Sequence, residues 1–410
     1  MNQTRPFVLI TTWRSRCIVV SVQLIHCSDL HLDKNFNISN LARAQERKED
    51  LNKNFSVAVD YALKNKPDLF LISGDVFDRN SPSNSARVFV TERVRQLREG
   101  GIRVFIIGGN HDVPKFGTQH LAIDVLASAG LATVFSKSDA IEKQVLDIDG
   151  RRVCVAGKSY FSRFESENPL HGCTMPIEED YNILMIHGSL QGLNVVSSIP
   201  EMTFQNPFRP GDIAQGLNYL ALGHFHNHFE REHEGCRIVN PGSIERMSWG
   251  ELNDEKGFVW AELNGSDASL EFIRLETRPM EEYALDLSTT GDYSPNLKDY
   301  LVEYLHKRSD AGKLARLNLR GQITQEQYRQ LKLNEIYEAT RDNFFHLNVR
   351  HGELYVEGFG RVFMERVDNP IESFTKRLDI LIAEANSEEK RRQLEQVKEL
   401  GRKYLEEARA

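Results

Sequence analysis

Short apolar runs that stop at polar residues recur along the first part of the chain. Three of them, Val19–Cys27, Leu69–Ile72 and Ile102–Ile107, are rich in β-branched or aromatic residues and have the length of buried strands. Residues 41–64, between the first two runs, carry apolar side chains at helical spacing, and Pro67 ends that pattern. The alternation predicts β-α-β units and hence a parallel sheet with helices on its faces.

The same alternation continues as far as residue 275, with less regular connections. Two further helices are predicted, at residues 81–99 and 119–129. Additional strands are predicted at residues 153–156, 183–186, 217–222 and 237–240, followed by a hairpin of residues 258–262 and 270–275. The pattern up to this point therefore predicts one large α/β domain.

The pattern changes after a linker at residues 276–282. Amphipathic helices mixed with short strands follow, and we interpret Leu301–Leu305 and Leu354–Val356 as two of those strands. Two amphipathic helices, 371–385 and 387–408, come next. The predicted domains are an extension at 1–20 that need not be ordered, a main domain at 21–276, a small α+β domain at 283–363 and a pair of helices at 368–410.

Five of the predicted strands end in side chains that can bind a metal ion. Residues i and i+2 of an extended chain point to the same side, so a D-x-H and a G-H-x-H motif can each direct two side chains at one point. The other three strands end in G-D, G-N-H-D and H-G. The candidate ligands are Asp29, His31, Asp75, Asn110, His187, His224 and His226.

A single Gly-Asp pair such as Gly74-Asp75 is usually no more than a turn at the end of a strand. The complete set has another explanation, because buried histidines rarely gather at one edge of several strands without a metal. Seven ligands exceed the four of a tetrahedral zinc site and suit two ions that share a carboxylate. Only a group with two acceptor oxygens bridges two ions well, and Asp75 is the best placed carboxylate.

Composition narrows the classes of function. The 410 residues carry a formal net charge of −8, which excludes nucleic-acid binding over the whole surface and leaves a local groove open. The five cysteines lie far apart without a C-x-x-C pair, so neither a disulfide framework nor a cysteine zinc site is predicted. The apolar runs are too short to span a bilayer. We therefore expect a cytoplasmic protein without a membrane partner.

The ordered set of motifs resembles the calcineurin-like metallophosphoesterases. Within that superfamily, four segments are similar to the SbcD-type DNA double-strand-break repair nucleases: SGDVFD at 73–78, SPS at 81–83, ALGHFH at 221–226 and PGSIER at 241–246. The likeness covers residues 23–249, and the later regions match in layout only. It implies an α/β fold in the form of a four-layer α-β-β-α sandwich, followed by a capping, DNA-binding domain and a C-terminal helical hairpin.

The resemblance also implies a role for each candidate residue. One metal ion would be held by Asp29, His31, Asp75 and His226, and a second by Asp75, Asn110, His187 and His224. His111 would be the catalytic histidine, which protonates the leaving oxygen or stabilises charge on the phosphoryl group. Asp78 and Asp112 would orient an imidazole from outside the ligand set. The mixed oxygen and imidazole ligands fit two Mn²⁺ ions per chain, with Fe²⁺ as the alternative.

The activity that follows from the resemblance is Mn²⁺-dependent hydrolysis of DNA in break repair, both from double-stranded ends and within single strands. The partner would be an SbcC-like coiled-coil ATPase that binds the C-terminal helices. A self-packed hairpin or a homodimer contact explains their apolar stripes about as well. Two other functions stay open: a phosphoesterase for small molecules or phosphoproteins, which shares the metals, and a non-catalytic tether in a repair complex.

Overall fold

The computed structural model describes residues 21–114, 120–160, 167–192, 205–265, 267–288, 296–357, 360–361 and 388–407, with isolated helical positions at 375, 378, 379 and 382. The chain divides into two compact units, Met1–Pro279 and Met280–Ala410. The predicted extension at 1–20 and most of the predicted helix at 371–385 lie outside the described residues.

The first unit alternates strands and helices in the order that the apolar pattern predicts. Its helices are α1 (Leu41–Asn65), α2 (Asn84–Glu99) and α3 (Asp124–Ser128). Its strands are β1 (Val22–Cys27), β2 (Leu69–Ser73), β3 (Arg103–Ile107), β4 (Thr133–Phe135), β5 (Glu142–Ile148), β6 (Arg151–Lys158), β7 (Tyr181–His187), β8 (Tyr219–Gly223), β9 (Phe229–His233), β10 (Cys236–Asn240), β11 (Gly257–Asn264) and β12 (Asp267–Arg274).

These strands form two six-stranded sheets. The first sheet has the order β12-β11-β1-β2-β3-β4, and the second has the order β5-β6-β7-β8-β10-β9. Strands β1 to β4 run parallel, as do β6, β7, β8 and β10, while β5, β9, β11 and β12 pair antiparallel with their neighbours. Both parallel blocks therefore bring the carboxyl ends of several strands to one edge, where α/β folds place their ligand sites.

The two sheets pack face to face around a shared apolar core. The inner faces contribute Val22, Leu24, Leu69, Leu71 and Phe105 from the first sheet and Val155, Ile183, Met185, Tyr219 and Ala221 from the second. Helices α1 and α2 cover the outer face of the first sheet. Side chains from connecting segments, including Leu170 and Phe208, cover the outer face of the second sheet in the described part. The predicted α/β sandwich is confirmed.

Local sequence explains where the two long helices begin. The side chain of Asn40 accepts a hydrogen bond from the amide of Arg43 at the start of α1, and Ser83 does the same for Ala86 in α2. The predicted helix at 81–99 therefore starts three residues late, after the Pro82-Ser83 turn. Of the predicted helix at 119–129, the described residues 120–129 are helical only in the five residues of α3.

The second unit has its own sheet and core. Its elements are β13 (Met280–Asp286), α4 (Leu297–His306), β14 (Asp310–Ile323), α5 (Gln325–Gln330), α6 (Leu333–Ala339), β15 (Phe344–Val356), β16 (Gly360–Arg361) and α7 (Glu388–Glu407). The strands are ordered β13-β14-β15-β16. Leucines of α4 and the inner face of this sheet form the core of the unit.

One element of the second unit differs in type from the prediction. Leu301–Leu305, interpreted as a strand, lies within helix α4. Leu297, Leu301 and Leu305 are buried at a spacing of four residues, and the side chain of Asn296 caps the helix by accepting from the Asp299 amide. The strand prediction was wrong because it considered a five-residue window and missed both the preceding leucine and the cap.

No helix among the described residues is both long and apolar enough to cross a bilayer.

Candidate metal centre

The seven candidate ligands lie together at the carboxyl edge of both sheets. Asp29 and His31 follow β1, Asp75 follows β2 and Asn110 follows β3, so the first sheet supplies four of them. His187 is the last residue of β7, and His224 and His226 follow β8 in the second sheet. The site is therefore built between two sheets, which explains why residues almost 200 positions apart, such as His31 and His226, are neighbours.

The backbone turns sharply at several of these residues. Asp29, His31, Asp75 and His224 adopt φ values of 51°, 44°, 51° and 107°. Positive φ is uncommon for residues other than glycine and costs energy, and such strain concentrates at functional sites. The turns direct side chains that would otherwise alternate across the sheet toward a single point.

One group of ligand atoms forms around His31 and His226. Their Nε2 atoms are 3.0 Å apart, and the His31 Nε2 lies 3.5 Å from Oδ2 of Asp75. Ligand atoms of Asp29, His31 and His226 all lie within 4.8 Å of one another. At this distance either one Nε2 carries a proton that it donates to the other, or both lone pairs face a shared cation.

A second group forms around Asn110. Its side-chain oxygen lies 2.9 Å from Nε2 of His187 and 3.2 Å from Nδ1 of His224. Oδ2 of Asp75 is 3.6 Å from the same His187 nitrogen. Asp75 therefore faces both groups with one carboxylate oxygen, and it is the residue that joins them.

Two of the imidazoles are oriented by hydrogen bonds on the side away from the centre. Nδ1 of His187 donates to the carbonyl oxygen of Ser73 at 2.9 Å, and Nδ1 of His226 donates to Oε1 of Glu251 at 3.1 Å. Both arrangements leave the lone pair of Nε2 directed at the centre, which is the form that binds a cation. A Cβ atom at Gly74 would collide with Nδ1 of His187, so this close packing requires glycine there.

Burial determines the charge state of the centre. It lowers the pKa of His31 to about 3 and also lowers the pKa of His187, so both imidazoles are neutral. Burial raises the pKa of Asp29, and it raises that of Asp75 to about 6. Burial alone would lower the pKa of His226. Its hydrogen bond to Glu251 and the charge of Asp29 have a larger, opposite effect, so the pKa of His226 lies above its ordinary value. Buried carboxylates that resist ionisation gain from a bound cation.

His111 lies at the mouth of the centre and is oriented differently. Its backbone amide donates to Oδ1 of Asp75 at 2.8 Å, and its ring packs edge-on against His31 with the centroids 4.7 Å apart. Its Nδ1 donates to the carbonyl oxygen of Asp78 at 2.9 Å. The remaining nitrogen, Nε2, is then available to a substrate.

Asp78 and Asp112 have separate positions. Oδ1 of Asp78 lies 3.4 Å from Nδ1 of His31 and 2.7 Å from Nζ of Lys34. Burial opposes ionisation of Asp78, yet hydrogen bonds from His31 and Lys34 lower its pKa to about 2. Asp112 instead accepts hydrogen bonds from the amides of Val76, Phe77 and Gly109. It therefore fixes the turns after β2 and β3, where an imidazole partner was expected.

The sequence pattern gave no signal for Glu251 or Lys256. Glu251 follows His226 by 25 residues in a short 3₁₀ turn, Trp249–Glu251, and its second oxygen pairs with the buried Nζ of Lys256 at 2.7 Å. Lys256 also donates to the carbonyl oxygen of His226 at 2.8 Å. The pair lies in an irregular segment, and only the folded chain brings it to the centre. His228, two residues after His226, is half-buried and stacks on Phe272 with the centroids 4.1 Å apart.

Fold and site together define a phosphoesterase. The family model of the calcineurin-like phosphoesterases matches residues 22–239, which is more than half of the 410 residues and includes all seven candidate ligands and His111. The chain belongs to this family. Its members are metal-dependent hydrolases with a dinuclear metal site, and the clustered ligands of the first unit are consistent with such a site.

Individual relatives add detail. The uncharacterized metallophosphoesterase YhaO of Bacillus subtilis is 30% identical over 276 residues, 66% of this chain and 64% of that protein. The DNA double-strand break repair protein Mre11 of Sulfurisphaera tokodaii is 28% identical over 66% of each chain. Mre11 of Thermoplasma acidophilum is 28% identical over 316 residues, 74% of this chain and 78% of the relative. The match with the Bacillus protein spans less than two thirds of its length.

Proposed function

We propose that this chain is a metal-dependent nuclease that hydrolyses phosphodiester bonds of DNA in the repair of double-strand breaks. The observation that carries the proposal is the convergence of six other oxygen and imidazole ligands around Asp75, with His111 beside them. Similarity to proteins named for DNA double-strand break repair supports DNA as the substrate. The motifs of the SbcD type support the same choice.

The residues present fit two cations. Asp29, His31, Asp75 and His226 would hold the first, and Asp75, Asn110, His187 and His224 the second. The 3.0 Å approach of the His31 and His226 nitrogens and the buried carboxylate of Asp75 both favour a cation in this place. We propose Mn²⁺, with Fe²⁺ as the alternative, because the ligand set combines hard oxygen atoms with imidazole and contains no thiolate.

When bound, a pair of divalent cations would acidify a water molecule and neutralise negative charge on the phosphoryl group. The chain itself supplies the proton donor. His111 is held through its Nδ1–H bond to the Asp78 carbonyl, so in its doubly protonated form it can donate the Nε2 proton to the leaving oxygen of the DNA strand and become neutral. Asp75 ties this histidine to the ligands through the His111 backbone amide.

The second unit supplies the proposed contacts with DNA and with a partner. Residues 283–363 would act as the capping domain, and residues 368–410 would bind an SbcC-like coiled-coil ATPase. Leu394, Val397 and Leu400 follow one another on one stripe of α7, and Val397 and Leu400 are 51% and 56% exposed. An exposed apolar stripe on a charged helix suits packing against another helix, and a homodimer contact is the alternative occupant.

A direct test measures cleavage of labelled linear and hairpin DNA with Mn²⁺ by the wild type and by His111→Ala. We expect degradation from double-stranded ends and cuts in single strands by the wild type, and a loss of about 100-fold or more in the variant with its metal content unchanged. Intact DNA together with rapid hydrolysis of a small phosphodiester or a phosphoprotein would contradict the nuclease and favour the second function. A wild type without bound metal or hydrolytic activity would favour the tether.

A further inference from the structure

A polar network lies inside the apolar core directly beneath the candidate metal centre. Val22, Leu24 and His26 occupy the inner face of β1, and the imidazole of His26 is completely buried between the sheets. Its Nε2 lies 2.9 Å from Oγ of Ser73 in the first sheet, and its Nδ1 lies 3.1 Å from Oη of Tyr219 in the second. His26 therefore connects the two sheets by hydrogen bonds.

Both ring nitrogens of His26 have a hydrogen-bond partner. Burial lowers the pKa of His26 to about 3, so the ring is neutral and carries one donor and one acceptor. Both partners are hydroxyl groups, which can each donate or accept, so either tautomer of His26 is accommodated. Leu24, one layer below, shows that an apolar side chain also fills the space between the sheets. Packing alone therefore does not require a polar residue at position 26.

The network contacts a candidate ligand directly. Ser73 binds His26 through its hydroxyl and His187 through its carbonyl oxygen, which accepts from Nδ1 at 2.9 Å. A Cβ atom at Gly223 would collide with this carbonyl, so the end of β8 also approaches Ser73 closely. Tyr219 begins β8, the strand that leads into His224. The network thus contacts His187 through the Ser73 carbonyl and includes the strand that leads into His224.

We propose that His26, Ser73 and Tyr219 are positioning residues, which fix the spacing of β2 and β8 beneath the centre and hold His187 in the orientation that binds the second cation. The inference rests on the proposed two-cation function. It predicts that only the second ion depends on the network, because the imidazoles of the first group have other partners: His226 is held by Glu251, and His31 lies beside Asp78. Loosening the network should therefore weaken one ion and spare the other.

The test compares Ser73→Ala and Tyr219→Phe with a matched control, Tyr181→Phe. Tyr181 is a second buried tyrosine, located at the start of β7, and its hydroxyl accepts from the Gly265 amide at 2.9 Å, away from the network. Binding of Mn²⁺ to the metal-free proteins is followed by calorimetry and by electron paramagnetic resonance. A coupled pair of Mn²⁺ ions and a single ion give different spectra.

We expect the control to bind two ions as the wild type does. Ser73→Ala and Tyr219→Phe should bind the second ion about 10-fold more weakly, with the first unchanged, and should show the single-ion spectrum at Mn²⁺ concentrations that give the coupled spectrum in the control. Thermal unfolding of the metal-free proteins corrects for a general loss of stability. The inference would be overturned if the two network variants bound both ions as tightly as the wild type and the control do. It would also be overturned if these variants lost affinity for both ions equally, or if the wild type bound fewer than two ions.

Metal binding is read independently of DNA cleavage. A wild type that binds two ions and leaves DNA intact would contradict the proposed nuclease, whereas the comparison between Ser73→Ala and Tyr181→Phe would still decide the positioning role.

Discussion

The two sheets of the first unit contribute different chemistry to the centre. The first sheet supplies every oxygen ligand, from Asp29, Asp75 and Asn110, whereas the second supplies only imidazoles, from His187, His224 and His226. Burial raises the pKa of both aspartates and lowers that of His187. The first sheet therefore carries the negative charge that needs a cation. The second sheet provides neutral imidazoles, which bind a cation only when they are correctly oriented.

The largest expected effect comes from the residue that faces both groups. Asp75→Asn removes the shared charge, so we expect it to weaken both ions by about 100-fold or more and to abolish hydrolysis. The measurement is metal content by elemental analysis after dialysis against Mn²⁺. Two ions retained by this variant would show that the Asp75 carboxylate of the first sheet does not bridge them.

A smaller effect, limited to one of the two ions, is expected from a ligand on the second sheet. His187→Ala should release the second ion and leave the first in place, because the first group of ligands is complete without it. His31→Ala should have the complementary effect on the first ion. Titration of Mn²⁺ by calorimetry distinguishes the two variants, and loss of both ions from either one would mean that the groups do not act separately.

Orientation of an imidazole should matter less than its presence. Glu251→Gln keeps a side chain beside Nδ1 of His226 but removes the charge that also pairs with Lys256. We expect the first ion to bind about 10-fold more weakly and the second to be unaffected. Calorimetry against the wild type measures both. An unchanged first ion would leave Glu251 as a partner of Lys256 only.

The charge of the first sheet also predicts a pH effect on metal-free protein. The pKa of Asp75 is raised to about 6 in the folded chain, above its ordinary value, so its contribution to the free energy of unfolding is largest below about pH 4 and is lost as pH rises through about 6. With EDTA present, Asp75→Asn should gain stability relative to the wild type between pH 4 and 7. Urea unfolding at both pH values tests this, and a constant difference would contradict it.

The sequence predicted the strand ends well because the ligand motifs stand directly after regular apolar runs. Asp29 and Asp75 follow strands, and His187 ends a strand, whose residues are almost all buried, so local pattern and site coincide. Glu251 could not be found in this way, because it lies in an irregular segment whose path depends on tertiary packing. Asp112 was assigned to an imidazole because its motif gives its position but not which of several nearby donors it binds.

His26 lies in a regular strand, yet its role could not be predicted from the sequence either. Its place within the apolar run of β1 indicated only a buried strand, and its two partners lie 47 and 193 residues away. The helix at Leu301 shows the limit for elements, since a short apolar window fits a strand or a helix until the cap and the preceding turn are considered.

The central claim is that the two sheets hold a pair of cations joined by Asp75. The most direct measurement is a crystal structure of the protein grown with Mn²⁺, with anomalous data collected at the manganese edge. We predict two anomalous peaks about 3.5 to 4 Å apart, with Asp75 bound to both. A single peak, or two peaks of which only one contacts Asp75, would contradict the claim.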